Sequence, residues 1–189
     1  WPLWDCCGGT TPTVETDDAD HGAVAQFEIL DNAGTVLGFY SRDAGEAYDA
    51  SGILGSGTFS FDVKVVDTPV AADTAWYVKI ESDGGGNNGG TEWDTIITPV
   101  VGSWTTFTFS VQSLQDAGLD VSAIDVVMVF PAWGAGEGAV YRVDNVEFTD
   151  GGSIDYPELV LFEDTANMEW PLWDCCAGST PTEETDDAD

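Results

Sequence analysis

Residues 1–20 read WPLWDCCGGTTPTVETDDAD, and 169 residues later the chain reads WPLWDCCAGSTPTEETDDAD at residues 170–189. The copies differ only at Gly8/Ala177, Thr10/Ser179 and Val14/Glu183. A period of that length is a whole domain rather than a solenoid unit. The expectation is a tandem repeat of about 169 residues, with one period present and the next one begun. With Trp at position 1, the chain reads as a piece of a longer or processed protein. The tract leading into the second copy, Leu159-Val160-Leu161-Phe162-Glu163-Asp164, has the apolar run of a buried strand. A module boundary before it divides the chain in two. Residues 1–156 become a repeat without its own first strand, and residues 157–189 become the first strand and start of the next repeat. Residues 158–168, of this chain or of a neighbour, are then expected to fill the open sheet position, because an unfilled edge invites aggregation.

Between the two motifs the hydrophobic period is 2 rather than 3.6. Phe59, Phe61, Val63 and Val65 alternate with Ser60, Asp62 and Lys64, and Trp76, Val78 and Ile80 alternate with Tyr77, Lys79 and Glu81. Further strands are expected over 23–30, 35–40, 91–97, 104–111, 125–130 and 139–148, separated by Gly- and Asn-rich turns. Only 113–118 reads as helix. Many short strands joined by polar turns predict an all-β, antiparallel β-sandwich.

Charge narrows the partners. Thirty-five acidic residues against four basic ones give a net charge of −31. That field repels nucleic acid and anionic membranes, and no apolar run is long enough to insert as a membrane helix. With 43% hydrophobic and 12% aromatic residues, the chain is too apolar for a disordered acidic tail. Self-repulsion of this size is relieved by salt or divalent cations, which fits an extracellular, secreted or cell-surface setting.

The runs Gly57–Val65, Trp76–Lys79, Trp104–Thr108 and Phe130–Val146, the last ending Val143-Asp144-Asn145-Val146, resemble a galactose-binding-like jelly-roll module. They are most similar to the β-sandwich domains appended to marine bacterial β-glucan-degrading enzymes. The resemblance implies a non-catalytic carbohydrate-binding module, often with structural calcium. It further implies that Asp144 on the last strand would share that calcium with an acid of the first strand, here Glu163 or Asp164 of the next copy's start.

Five residues are candidates for holding a sugar, which offers C–H faces to aromatic rings and hydroxyls to planar polar groups. Tyr77, Lys79 and Glu81 share the outer face of one strand, although Lys79 could equally serve a local salt bridge. Trp93, in the Gly-rich 84–94 loop, and Trp133, in a Gly-rich turn, are expected to be exposed stacking platforms. Trp104 is expected to pack in the core or under a strand end. Asp17-Asp18-Ala19-Asp20 reads first as a solvated charge run and second as a cation site. Cys6-Cys7 and Cys175-Cys176 lack the spacing of a zinc site. Each pair either closes as a vicinal disulfide, bonds across copies, or stays reduced. Nothing marks an enzyme: there is one His, no G-x-S-x-G and no phosphate loop. The leading expectation is a repeat module that binds extracellular polysaccharide, possibly β-glucan. The alternative is a structural repeat of a filament or adhesin, in which strand 158–168 completes a neighbouring copy's sandwich by strand complementation.

Overall fold

The computed structural model describes residues 1–5, 12–30, 37–42 and 45–151. Cys6, Cys7, Cys175, Cys176, Glu163, Asp164 and the 158–168 tract lie outside the described residues.

Among the described residues, ten strands form two antiparallel five-stranded sheets. The strands are β1 (Leu3–Asp5), β2 (Thr13–Asp18), β3 (Gly22–Glu28), β4 (Leu37–Tyr40), β5 (Thr58–Asp67), β6 (Trp76–Ser82), β7 (Thr91–Ile97), β8 (Thr105–Ser110), β9 (Ile124–Pro131) and β10 (Val140–Thr149). One sheet runs β1-β4-β9-β6-β7 and the other β2-β3-β10-β5-β8. We call them the first and second sheets. Sequence neighbours often lie in different sheets, as the jelly-roll winding requires. Among the described residues the one α-helix, α1 (Val111–Asp116), starts two residues earlier than the expected segment. Ser110 caps it by accepting a hydrogen bond from the Ser113 N–H at 3.0 Å, and Val111 and Leu114 anchor it in the core. No described helix is long and apolar enough to cross a membrane.

The core follows from the period-2 alternation. Phe59, Phe61, Val63 and Val65 of β5 meet Val78, Ile80, Val127 and Val129 of the first sheet between the layers. Tyr141 is fully buried there, and its hydroxyl donates to the Val129 carbonyl at 2.5 Å, tying β10 to β9 across the sandwich. Burial pushes the Tyr141 phenol well above its ordinary value, so it stays a donor at any working pH.

Two strands of the first repeat motif, β1 and β2, were not expected from the sequence. The charge run Asp17-Asp18-Ala19-Asp20 also departs from expectation, because Asp18 is the buried end of β2 rather than part of a solvated face. Both sheets assemble within residues 1–149. Among the described residues, one flank of β10 stays open. Its pairing with β3 ends at Val143↔Ala25, whereas its pairing with β5 continues to Thr149↔Thr58.

Candidate functional site on the outer face of the first sheet

In β6, alternation turns Trp76, Val78 and Ile80 into the core and leaves Tyr77, Lys79 and Glu81 on the outer face. Register then places Phe130, Met128 and Val126 of β9 beside Tyr77, Lys79 and Glu81, and Ile96, Asp94 and Glu92 of β7 on the other side. Val126, Met128 and Phe130 are buried although they face outward, because Trp4, Tyr40 and Tyr77 cover them. Trp4 stacks on Tyr40 with ring centroids 4.9 Å apart. Tyr77 stacks on Phe130 at 5.9 Å, and Phe130 on Trp133 at 5.4 Å. An apolar stripe with an aromatic stack at each end, joined through Val126 and Met128, thus crosses the sheet from β1 to the turn after β9. Gly38 lies in its floor between Trp4 and Met128, where a Cβ would meet the Val127 carbonyl oxygen at 2.2 Å.

A ladder of charges runs beside the stripe. Lys79 Nζ lies 2.9 Å from Glu92 and 3.0 Å from Glu81. Arg42 reaches Glu81 at 3.0 Å and holds Asp125 through two hydrogen bonds, at 2.8 and 3.0 Å. Burial pulls the Lys79 pKa down, but its bonds to Glu92 and Glu81 outweigh burial and the ammonium sits above its ordinary value. The Lys79 bond in turn holds the Glu92 carboxyl below its usual range. Asp125 raises the Arg42 guanidinium further. The Gly-rich loop serves the same ladder. The Gly84 N–H donates to Asp125 at 3.2 Å and the Gly86 N–H to Glu92 at 3.3 Å. Gly85 takes φ +69°, and a Cβ there would meet Glu81 Oε2 at 2.7 Å.

Stripe and ladder converge on a cleft of about 440 Å³ lined by Tyr77, Lys79, Glu92, Asp94, Phe130, Ala132 and Trp133. Trp133 is 59% exposed at its lip, with Lys79 Nζ 5.7 Å from the ring centre. Of the five residues singled out from sequence, the structure brings Tyr77, Lys79 and Trp133 to one cleft and puts Glu81 next to it. Trp93 lies elsewhere than expected. It is not on an exposed loop but in β7, paired with the inward Ile80, and its ring packs edge-on against Phe109 at 5.1 Å. The physical reason is parity: Glu92 and Asp94 take the outer face, so the residue between them must face the core.

Asp144 lies on the second sheet, with Oδ2 2.9 Å from His21 Nδ1. Among the described residues no group of three or more His, Cys, Asp or Glu side chains is arranged to hold an ion. Glu163 and Asp164, the acids expected to share calcium with Asp144, lie outside the described residues. Trp4, Tyr40, Phe130, Glu92, Asp94 and the Arg42–Asp125 pair were missed. Pairing register would have revealed Glu92 and Asp94 once β6 and β7 were recognised as neighbours. Nothing in a single sequence brings Trp4 and Arg42 to this face.

No protein-family model matches the chain, and no curated protein matches it in sequence. Solved structures match its fold. A family 30 carbohydrate-binding module of a cellulosomal cellulase of Clostridium thermocellum superposes with a TM-score of 0.60 at 13% identity, covering 79% of this chain and 92% of that one. Another family 30 carbohydrate-binding module gives 0.57 at 13% identity over 84% and 87%. Part of an exo-beta-agarase gives 0.55 at 14% identity, over 78% of this chain and 22% of that one. At such identities the likeness is one of fold, and the chain has the jelly-roll β-sandwich fold of carbohydrate-binding modules.

Proposed function

We propose that the chain is a non-catalytic module that binds extracellular polysaccharide in the cleft and along the apolar stripe of the first sheet. The observation that carries this is the cleft itself. An exposed indole and a half-buried tyrosine, backed by the buried Phe130 ring, stand beside a fixed ammonium and carboxylates. Rings suit the C–H faces of a sugar, and the charged groups suit its hydroxyls. A stripe spanning several strands suits a chain of sugars better than a single one. The shared fold with carbohydrate-binding modules supports the class of ligand. A β-glucan is the first glycan to try, since its pyranose faces are flat and uncharged in a cleft that carries more carboxylates than cations. Binding outside the cell agrees with the acidity of the chain, which a saline medium screens.

Calorimetric titration of the full chain against soluble β-glucans, xylan and agarose oligosaccharides tests this. Binding at micromolar Kd that weakens at least tenfold in Trp133→Ala supports the proposal. No heat with any of these glycans, from a chain shown to be folded, overturns it.

A further inference from the structure

A lysine beside an exposed indole suggests a receptor for acidic sugars, but the surroundings of Lys79 point the other way. The residue is only 7% exposed, and its ammonium lies 3.0 Å from Glu81 and 2.9 Å from Glu92. Both carboxylates are themselves held in place, Glu81 by Arg42 at 3.0 Å and Glu92 by the Gly86 N–H at 3.3 Å. To meet a carboxylate on a ligand, Lys79 would have to give up a fixed partner that its own sheet supplies. Its charge is already answered before any ligand arrives.

Asp94 is the opposite case. It stands directly across from Lys79 in the β6–β7 register and lines the cleft together with Trp133. The residue is exposed, and the Lys79 ammonium turns to Glu81 and Glu92 rather than to it. Among the described residues, no side chain or backbone N–H bonds to the Asp94 carboxylate. In the ladder, Arg42 and Lys79 already face Asp125, Glu81 and Glu92, which leaves one carboxylate in excess, and Asp94 adds a second. A sugar hydroxyl can donate to such a free carboxylate, whereas a sugar carboxylate or sulfate ester beside it is repelled. We infer, resting on the cleft as a glycan site, that Asp94 sets its charge specificity: neutral polysaccharide is admitted, and uronate or sulfated chains are turned away. The net charge of −31 repels anionic chains in general. Asp94 differs from the other acids by standing where a sugar would stack on Trp133.

The test uses β-glucan, xylan and agarose oligosaccharides, each as its hydroxyethyl and its carboxymethyl ether at matched substitution. The two substituents are alike in size and differ in charge. The readout is the ratio of the two Kd values for the full chain. The unaltered chain should favour the hydroxyethyl form about tenfold or more at low salt, and the preference should shrink severalfold in roughly 0.5 M NaCl. Asp94→Asn removes the charge and keeps a hydrogen-bonding group, so it should cut the ratio about fivefold, while Asp94→Glu should retain it. Glu147→Gln makes the same change in net charge on an exposed position of the second sheet, and should leave the ratio within about twofold. A ratio that Asp94→Asn leaves unchanged, or that Glu147→Gln lowers equally, overturns the inference. So does a preference for the carboxymethyl form, which would make Lys79 an anchor for acidic sugars. No binding of either ether of any of the three glycans to the folded, unaltered chain is a different failure: it overturns the cleft as a glycan site, and the charge specificity with it.

Discussion

Trp133 on the first sheet and Trp104 on the second each have a lysine ammonium 5.7 Å from the ring centre, Lys79 in one case and Lys64 in the other. Their surroundings differ. Trp104 donates its indole N–H to Asp18 at 3.1 Å and stacks on His21 at 4.0 Å. Asp18 is buried and also accepts from Lys64 and Arg142, at 3.2 Å each. Its carboxyl is driven far below its ordinary value, because these donors, led by Trp104, outweigh the opposing effect of burial. His21 turns to Asp144, Asn145 donates to Asp62 at 2.7 Å, and Thr106 donates to Asp62 as well. Each of these side chains has at least one protein partner. Around Trp133 the indole is exposed, and its cation, Lys79, lines an open cleft. All four basic residues of the chain sit in these two clusters. The comparison teaches that an aromatic–cation pair says little about binding by itself. What matters is whether the protein has already used the ring's faces and donor.

The largest effect should separate the two tryptophans. Trp133→Ala is expected to weaken glycan binding about tenfold or more, near 1.4 kcal/mol, with little change in Tm. Trp104→Ala should do the reverse, leaving affinity within about twofold and lowering Tm by roughly 3 to 8 °C as Asp18 loses a donor. Affinity measured by calorimetry and Tm by scanning calorimetry check both. Equal losses of affinity would break the comparison. The lysines should repeat the pattern at lower amplitude. Lys79→Met leaves Glu81 and Glu92 facing one another across the cleft wall, so affinity falls severalfold and Tm falls with it. Lys64→Met should lower Tm alone, because Asp18 keeps Arg142 and Trp104. Gly85→Ala comes third. Its Cβ would press on Glu81 in a left-handed backbone position, so affinity should fall about two- to threefold through the displaced ladder, with the overall fold intact by circular dichroism.

The sequence carried much of the fold and less of the site, for identifiable reasons. Strands such as β5 and β6 are buried on one face only, so their alternation assigns inside and outside directly. The outward placement of Tyr77, Lys79 and Glu81 was legible for that reason. Strand β9 is buried on both faces, and Val126-Val127-Met128-Val129-Phe130 reads as one apolar run that hides which residues look outward. Trp93 failed because the glycines before it suggested a loop, whereas parity with Ile80 decides its direction. Asp18 failed because a run of acids carries no sign of the three donors that gather on one member of it from β5, β10 and the segment before β8. Such contacts are long-range, and only the sheet order creates them.

The smallest expected effect is a separation of the two faces by acid. Glu92 and Asp18 both have folded pKa values below their ordinary values of 4.5 and 3.8, so the folded state binds fewer protons than the unfolded one. Stability from each is therefore fully present above its ordinary value and is lost as pH falls through the lowered one. Glu92 is the more exposed of the two and depends chiefly on Lys79, whereas Asp18 is enclosed by several donors. On acidification from pH about 5, the Lys79–Glu92 bond should fail first. Glycan affinity should then decline by about two- to threefold with only a small fall in Tm, and the larger fall in Tm should come at lower pH, as Asp18 takes up its proton. Calorimetric titrations and melting curves across the same pH series, at constant ionic strength, read the two separately. Coincident loss of affinity and Tm would mean that the ladder of the first sheet and the network of the second titrate as one unit, and that the two faces are coupled through the core rather than independent.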